Sequence, residues 1–190
     1  TYNECYDLFN KNRIVVIFPE SVCVNERRLR PLKKGAAKMA FGAFEKYPNM
    51  DIMVVPVGLN YSNPRHFRQD VCINFGHPIP ISDYFQLIAE EKQAKAIVDL
   101  NERLSRAIEQ EMVIIKEPKN DFIGAQYLEM ARNEYKPSFF GFLKKTKNRF
   151  LAEKRAATDL NNLFEEDLGK FEIFEKKIIN YYEGLNLIKI

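Results

Sequence analysis

Apolar and polar positions alternate in two different ways along the chain. A short run of β-branched and aromatic residues, Arg13–Phe18, predicts a buried strand that ends at Pro19, which has no N–H to donate. Asp51–Gly58 and Val71–Phe75 have the same character and predict two further strands. The first of the three strands follows a short helical pattern over Tyr2–Asn10.

A helix is predicted between the first two strands. Lys33–Tyr47 carries apolar side chains at helical spacing, namely Ala37, Ala40, Phe41 and Phe44. The order strand, helix, strand predicts that Arg13–Phe18 and Asp51–Gly58 are parallel, joined by a right-handed crossover. We therefore expect an α/β fold with all three strands in one mixed, partly parallel sheet flanked by helices.

The rest of the chain has a helical pattern. Ser82 is the expected N-cap of a short helix over Tyr84–Ala89, and the longer helix that follows is expected to end at Pro118. The remaining predicted helices are Asp121–Tyr135, Lys147–Phe164 and Lys170–Gly184. We therefore divide the chain into an α/β part, residues 1–81, and a mostly helical part, residues 82–190.

The loop between the first predicted strand and helix carries unusual charges. Glu20 directly follows the strand, and a group of cations leads into the helix: Arg27, Arg28, Arg30, Lys33 and Lys34. The N-terminus of a helix is already positive, so cations there indicate that an anion such as phosphate binds. A solvated basic loop is the alternative, and the charges alone leave it open.

Two sequence blocks resemble one enzyme family. Phe18-Pro19-Glu20-Ser21 with Leu29–Ala37, and later Val55–Tyr61, resemble the F-P-E-G, F-K-K-G-A and V-P-V blocks of the glycerolipid acyltransferases, which include lysophosphatidic acid acyltransferase. The resemblance covers about Asn10 to Ile81. It implies a substrate-binding site comprising Glu20, Ser21, Arg27, Arg28, Arg30, Lys33, Lys34 and Gly35. In it, Glu20 binds the acceptor's glycerol or positions the loop, and the cations hold its phosphate.

The chain departs from the family pattern at three consecutive positions. Ser21 stands where the family has Gly, at a position for which a positive φ is expected and for which Ser is unfavourable. Val22 and Cys23 replace a Thr-Arg pair, so the family's phosphate-contacting arginine has no direct counterpart. Arg27, Arg28 and Arg30 are the candidates to replace it.

No catalytic base is expected in this sequence. The family uses an H-x-x-x-x-D block upstream of F-P-E-G, in which His deprotonates the acceptor hydroxyl and Asp orients the imidazole. His66 has the wrong spacing to Asp70 and is interpreted as a loop residue, and His77 as a strand-end residue. Because the chain also starts at Thr1, we expect a fragment whose catalytic His and Asp lie upstream and which is inactive alone.

The composition argues against several classes of function. The net charge of +3 and the lack of a nucleic-acid motif argue against nucleic-acid binding. The three cysteines lack metal-ligand spacing and indicate a reducing compartment, and no apolar run is long enough to span a bilayer. Aromatic and basic residues between Phe139 and Phe150 suit either contact with anionic lipid or a core beneath a loop.

The resemblance therefore implies a phospholipid or glycerolipid acyltransferase. It would transfer a fatty acyl group from acyl-CoA or acyl carrier protein to a lysophospholipid hydroxyl, without a metal or other cofactor, at the cytoplasmic face of the membrane as a peripheral protein. Two alternatives stay open: a non-catalytic lipid- or phosphate-binding module, and an acyltransferase for a lysolipid without phosphate.

Overall fold

The computed structural model describes residues 2–22, 24–63, 69–90, 92–134 and 145–187. These residues form two compact units, each assembled from three segments of the chain. The first unit comprises residues 1–24, 29–58 and 74–111, and the second comprises residues 25–28, 59–73 and 112–190. The boundary predicted between residues 81 and 82 marks a change from an α/β to a helical sequence pattern, and it stays a prediction.

Two helices open the first unit. Helix α1 is Tyr2–Asn10 and helix α2 is Gly35–Lys46. Helix α1 ends in a Schellman motif, with Asn12 at φ 52°, the N–H of Arg13 on the carbonyl of Leu8 and the N–H of Asn12 on the carbonyl of Phe9. The sequence predicted both helices within two residues at each end.

The strands form two antiparallel pairs. Strand β1 is Met53–Val54, β2 is Val57–Tyr61, β3 is Val71–Phe75 and β4 is Ile79–Pro80. Strand β1 pairs with β4, with Val54 opposite Ile79, and β2 pairs with β3 in a separate two-stranded sheet.

The predicted parallel sheet is wrong. Arg13–Phe18 forms no strand, and Ile14, Val16 and Phe18 are exposed. A strand is defined by hydrogen bonds to an adjacent strand, and within the described residues no strand pairs with this apolar segment. The predicted strand Asp51–Gly58 is in fact broken into β1 and β2 at Pro56, which cannot donate to a ladder. Val71–Phe75 is a strand over the predicted residues.

The first unit has its core beneath α2 and α4. After β4 come a 3₁₀ turn, Ile81–Tyr84, and helices α3, Phe85–Ala89, and α4, Gln93–Gln110. Ser82 lies within this 3₁₀ turn and is not an N-cap. Phe41 of α2 is fully buried and packs edge-on against Tyr84, with 5.6 Å between ring centroids. The inner face of α4 buries Ala96, Ile97, Leu100, Leu104 and Ile108.

The second unit is a helical bundle. Its helices are α5, Asp121–Glu134; α6, Lys145–Glu166; and α7, Leu168–Leu187. Their buried side chains form one cluster together with Val113 and Ile115: Ile123, Leu128, Phe150, Ala156, Ala157, Leu160, Phe171 and Ile178. The mostly helical C-terminal region is therefore confirmed.

Candidate functional site

The loop after Phe18 is closed at its base by contacts within the first unit. The N–H of Ser21 donates to the carbonyl of Phe18 at 3.2 Å, and the N–H of Lys33 donates to the carbonyl of Pro19 at 2.8 Å. Glu20 accepts a hydrogen bond at Oε2 from the N–H of Arg30 at 2.9 Å. The half-buried Glu20 carboxylate thus joins the two sides of the loop ten residues apart, so it helps to position the loop.

Ser21 adopts the strained backbone conformation that its place in the loop predicts. Its φ is 56°, in the left-handed region that favours glycine. Its N–H closes a turn onto the carbonyl of Phe18.

Replacing Ser21 by Gly is expected to stabilise the protein by about 0.5–1 kcal/mol. The left-handed conformation costs an L-residue roughly 1–2 kcal/mol, and part of this gain is lost to the greater chain entropy of glycine. Chemical denaturation of S21G measures the change. The control is Ser105→Gly in α4, which is expected to destabilise by about 0.5 kcal/mol, because glycine is a poorer helix former than serine. If both variants were destabilised alike, Ser21 would not be strained.

The start of α2 presents two exposed cations. Lys34 directly precedes the helix, with φ −68° and ψ −7°, and makes no side-chain cap. Lys33 and Lys34 are both exposed, and the first turn of α2 has no acidic residue. The first N–H groups of a helix have no partner within the helix, so the cations and these N–H groups create a positive potential at Gly35.

Arg28 is held by acceptors of the second unit. Its guanidinium donates two hydrogen bonds to Asp121, from Nη1 to Oδ1 and from Nη2 to Oδ2, each at 2.7 Å. Nη1 also donates to the carbonyl of Ile115 at 3.1 Å. The hydrogen bond to Asp121 raises the pKa of the Arg28 guanidinium. The bidentate geometry gives this arginine a structural role at the start of α5.

Arg27 caps the end of strand β2. Its Nη2 donates to the carbonyls of Tyr61 and Ser62, at 3.1 and 2.8 Å. The Ser62 carbonyl also accepts from Nη2 of Arg132 at 3.0 Å, and Arg132 donates from Nε to the buried Glu153. Burial lowers the pKa of Arg27, Glu153 raises it and Arg132 lowers it. The buried carboxylate of Glu153 thus offsets the positive charges of Arg27 and Arg132, which both donate to the Ser62 carbonyl.

Sequence reasoning missed these partners. Asp121, Arg132 and Glu153 lie far along the chain from the basic loop, and only the position of Asp121 at a predicted helix start gave any signal. The predicted site residues are divided between the two units. Glu20, Ser21, Arg30, Lys33, Lys34 and Gly35 lie in the first unit, whereas Arg27 and Arg28 lie in the second. Their assignment to substrate binding stays a prediction.

The pair formed by Arg28 and Asp121 is expected to be coupled by about 1 kcal/mol. The Arg28 side chain is 17% exposed and that of Asp121 40%, so solvent weakens an otherwise strong bidentate pair. A double-mutant cycle with R28A, D121A and the double variant, measured by denaturation, gives the coupling. The control is Arg103 with Asp83, both 44% exposed, for which less than about 0.5 kcal/mol is expected. Equal coupling in both pairs would contradict the structural role of Arg28.

Several predicted features lie outside the described residues. These are Cys23, His66, and the aromatic part of the stretch that begins at Phe139. His77 follows β3 and is exposed. In the part of the chain that the structure describes, no group of three or more His, Cys, Asp or Glu side chains could hold a metal ion.

Comparison with known proteins connects the loop and α2 to one family. The Acyltransferase family model matches residues 1–60, which include the whole loop and α2. The chain is 32% identical over 112 residues to glycerol-3-phosphate O-acyltransferase 1 of Saccharomyces cerevisiae, and 27% identical over 137 residues to glycerol-3-phosphate O-acyltransferase 2 of the same yeast. The resemblance to the glycerolipid acyltransferases is confirmed. An uncharacterized acyltransferase of Schizosaccharomyces pombe is 28% identical over 142 residues.

These acyltransferases are much longer than the region they share with the chain. The matches cover 57%, 72% and 74% of this chain, but only 14%, 18% and 20% of the respective relatives. No solved structure matches. Among the described helices, none combines the length and the apolar character needed to cross a membrane.

Proposed function

We propose that the chain is part of an enzyme that transfers a fatty acyl group to a hydroxyl of a phosphorylated glycerol acceptor. The observation that carries the proposal is the start of α2, where exposed Lys33 and Lys34 flank free helical N–H groups within the segment that matches the Acyltransferase family. A helix start flanked by cations suits the phosphate of such an acceptor.

The contacts favour different roles for the predicted site residues. Lys33, Lys34 and the N–H of Gly35 would bind the phosphate, with Arg30 next to them in the loop. Glu20 would keep the loop closed through Arg30, and its carboxylate would be near the acceptor's glycerol. Arg27 and Arg28 would stabilise the second unit, because their guanidiniums already donate to protein acceptors.

The acceptor could be glycerol 3-phosphate or a lysophospholipid, since both carry a glycerol phosphate. Two of the relatives are named glycerol-3-phosphate O-acyltransferases. In either case the hydroxyl oxygen would attack the thioester carbon of acyl-CoA or acyl carrier protein. The C–O bond forms as the C–S bond breaks, and the hydroxyl proton passes through a base to the leaving thiol. This step needs no metal or redox cofactor, and we place its base, a His with an Asp, in polypeptide that precedes residue 1.

A membrane location follows from the same proposal. Acylation of either acceptor gives a membrane lipid, so the enzyme would work as a peripheral protein at the cytoplasmic face. Phe150, at the end of the basic and aromatic stretch, would not contact lipid, because its side chain is buried in the core cluster of the second unit.

The isolated 190-residue chain is expected to bind phosphate without turning over substrate. Titration with inorganic phosphate, and then with glycerol 3-phosphate, should shift the backbone amide NMR signals of Leu32–Ala36, because these residues lie at the helix start that would bind the anion. No acyl transfer above background is expected from acyl-CoA. The K33A/K34A double variant should lose the shifts.

Two outcomes would contradict the proposal in different ways. Unchanged amide signals would rule out the phosphate site. Acyl transfer by the isolated chain would show that the base lies within these 190 residues. The alternative of a non-catalytic lipid- or phosphate-binding module predicts the same shifts but no activity even in a version extended to the length of the relatives, so that version decides between enzyme and module.

A further inference from the structure

The middle of the basic loop belongs to the second unit, although both ends of the loop belong to the first. The chain enters the second unit at Asn25 and returns to the first at Leu29. Arg27 and Arg28, here called the loop anchor, lie in this segment, and both are half-buried. Only four residues separate Arg28 from Lys33, so the loop anchor lies close in sequence to the proposed phosphate site.

The loop anchor is held through its backbone as well as its side chains. The carbonyl of Arg27 accepts a hydrogen bond from the N–H of Ile115 at 2.9 Å, and Nη1 of Arg28 donates to the Ile115 carbonyl at 3.1 Å. Arg28 also makes the bidentate pair with Asp121, and Arg27 donates to the two carbonyls at the end of β2. Both residues are therefore fixed in position within the second unit.

The groups that hold the loop anchor are themselves held. Ile115 is fully buried, and Asn161 of α6 contacts the backbone on both sides of it. Nδ2 of Asn161 donates to the carbonyl of Ile114 at 2.8 Å, and its Oδ1 accepts from the N–H of Lys116 at 3.1 Å. Asp121 is the first residue of α5. The loop anchor is thus attached to the helical core of the second unit.

The loop is also restrained after the loop anchor. The N–H of Arg30 donates to Glu20, and the N–H of Lys33 donates to the carbonyl of Pro19, both within the first unit. The residues between Arg28 and α2 therefore have a restrained point on either side. Ordering a residue costs backbone entropy, and a ligand binds more tightly where folding has already ordered its site. Restraint of this stretch in the free protein therefore favours acceptor binding.

We propose that the loop anchor positions the phosphate-binding start of α2, which makes Asp121 a positioning residue for the acceptor. The inference rests on the proposed function, since it takes Lys33 and Lys34 as the side chains that bind the phosphate. Arg28 acts by holding the loop and not by binding the phosphate, because both of its η nitrogens already donate to protein acceptors. The second unit thereby contributes to acceptor affinity through the chain that links the two units.

Hydrogen exchange in the 190-residue chain tests the positioning without any substrate. Asp121→Ala is expected to speed exchange of the Ile115 amide, which donates to the loop anchor directly. It should also speed exchange of the Arg30 amide, which donates to Glu20 in the first unit, by about fivefold. Faster exchange at Ile115 with unchanged exchange at Arg30 would overturn the proposal, because the loop anchor would then stabilise the second unit alone.

Steady-state kinetics of the full-length enzyme test the consequence for the acceptor. D121A and R28A are each expected to raise the acceptor KM about fivefold, with kcat within about twofold of wild type, and the double variant should be no worse than either. A loss of folded enzyme would instead lower kcat and leave KM unchanged. The control is Glu165→Ala, which removes the exposed ion pair with Lys116 in the same unit and should change neither constant.

The direction of the D121A effect separates positioning from direct binding. If Arg28 bound the phosphate itself, releasing it from Asp121 would lower the acceptor KM, and that result would overturn the proposal. A wild-type acceptor KM in D121A would overturn it as well. An unchanged acceptor KM in the K33A/K34A double variant would contradict the proposed phosphate site instead, and faster exchange of the Arg30 amide in D121A would then still show that the loop anchor orders the loop.

Discussion

Removing the two cations at the start of α2 is expected to raise the KM for the phosphorylated acceptor by tenfold or more in the full-length enzyme. Lys33 and Lys34 are exposed and adjacent to free helical N–H groups, so they are available to the phosphate. A charge-assisted hydrogen bond contributes roughly 1.5–3 kcal/mol, and about 1.4 kcal/mol corresponds to a tenfold change. Steady-state kinetics of K33A, K34A and the double variant, with both substrates varied, measure the effect.

The control for this prediction is Lys38→Ala. Lys38 is also exposed on α2, one turn further along, where the positive potential of the helix start has declined. It should leave both KM values near wild type. The donor KM should change much less than the acceptor KM in these variants, because the proposed site binds the acceptor's phosphate. An unchanged acceptor KM in the double variant would mean that the basic loop is merely solvated.

Local signals predicted the helices well. The apolar spacing of α2 depends on residues within a few positions of one another. The Schellman motif at Asn12 follows from the tolerance of Asn for positive φ. Helix α4 was predicted less well, because it ends at Gln110, before the proline at position 118 that was expected to stop it.

The strands could not be predicted in the same way. A strand forms only where another strand pairs with it, and Arg13–Phe18 has a strand sequence but no strand partner among the described residues. Asp51–Gly58 reads as one apolar run, yet Pro56 divides it so that its two parts join different pairs. The right-handed crossover rule was applied to a first strand that the structure does not contain.

The binding roles of the candidate site residues stay predictions, but one piece of local geometry could be compared with the structure. Glu20 and the cations near Gly35 were selected through local sequence and family resemblance, and the positive φ of Ser21 followed from the glycine that it replaces. The role of Arg28 was not accessible, because its partner Asp121 lies 93 positions away. A run of cations in the sequence shows where positive charge accumulates. It does not show which of these side chains is already paired with a carboxylate.

Replacing Gly58 by Ala is expected to destabilise the protein by about 3 kcal/mol, at the upper end of the range for overpacking. Gly58 lies in strand β2, and its φ is not positive, so its need for glycine is one of space. A methyl group there would lie within 2.5 Å of the carbonyl carbon of Glu111 and closer still to the carbonyl oxygen. Both are backbone atoms, so a side-chain rotation cannot relieve the clash.

The surroundings of that carbonyl leave it little freedom to move. Glu111 is the C-cap residue of α4. Its N–H donates to the carbonyl of Ile108 at 2.9 Å, and its carbonyl accepts from Nδ2 of Asn74 at 3.1 Å. Thermal unfolding should therefore show a Tm lower by roughly 6–12 °C for G58A. The matched control is Gly184→Ala in α7, where a methyl group meets no atom within 4 Å and helix propensity favours alanine by up to about 1 kcal/mol. If G58A unfolded at the wild-type temperature while G184A behaved as expected, β2 would not approach Glu111 this closely, and the glycine of the Val-Pro-Val-Gly block would need another explanation.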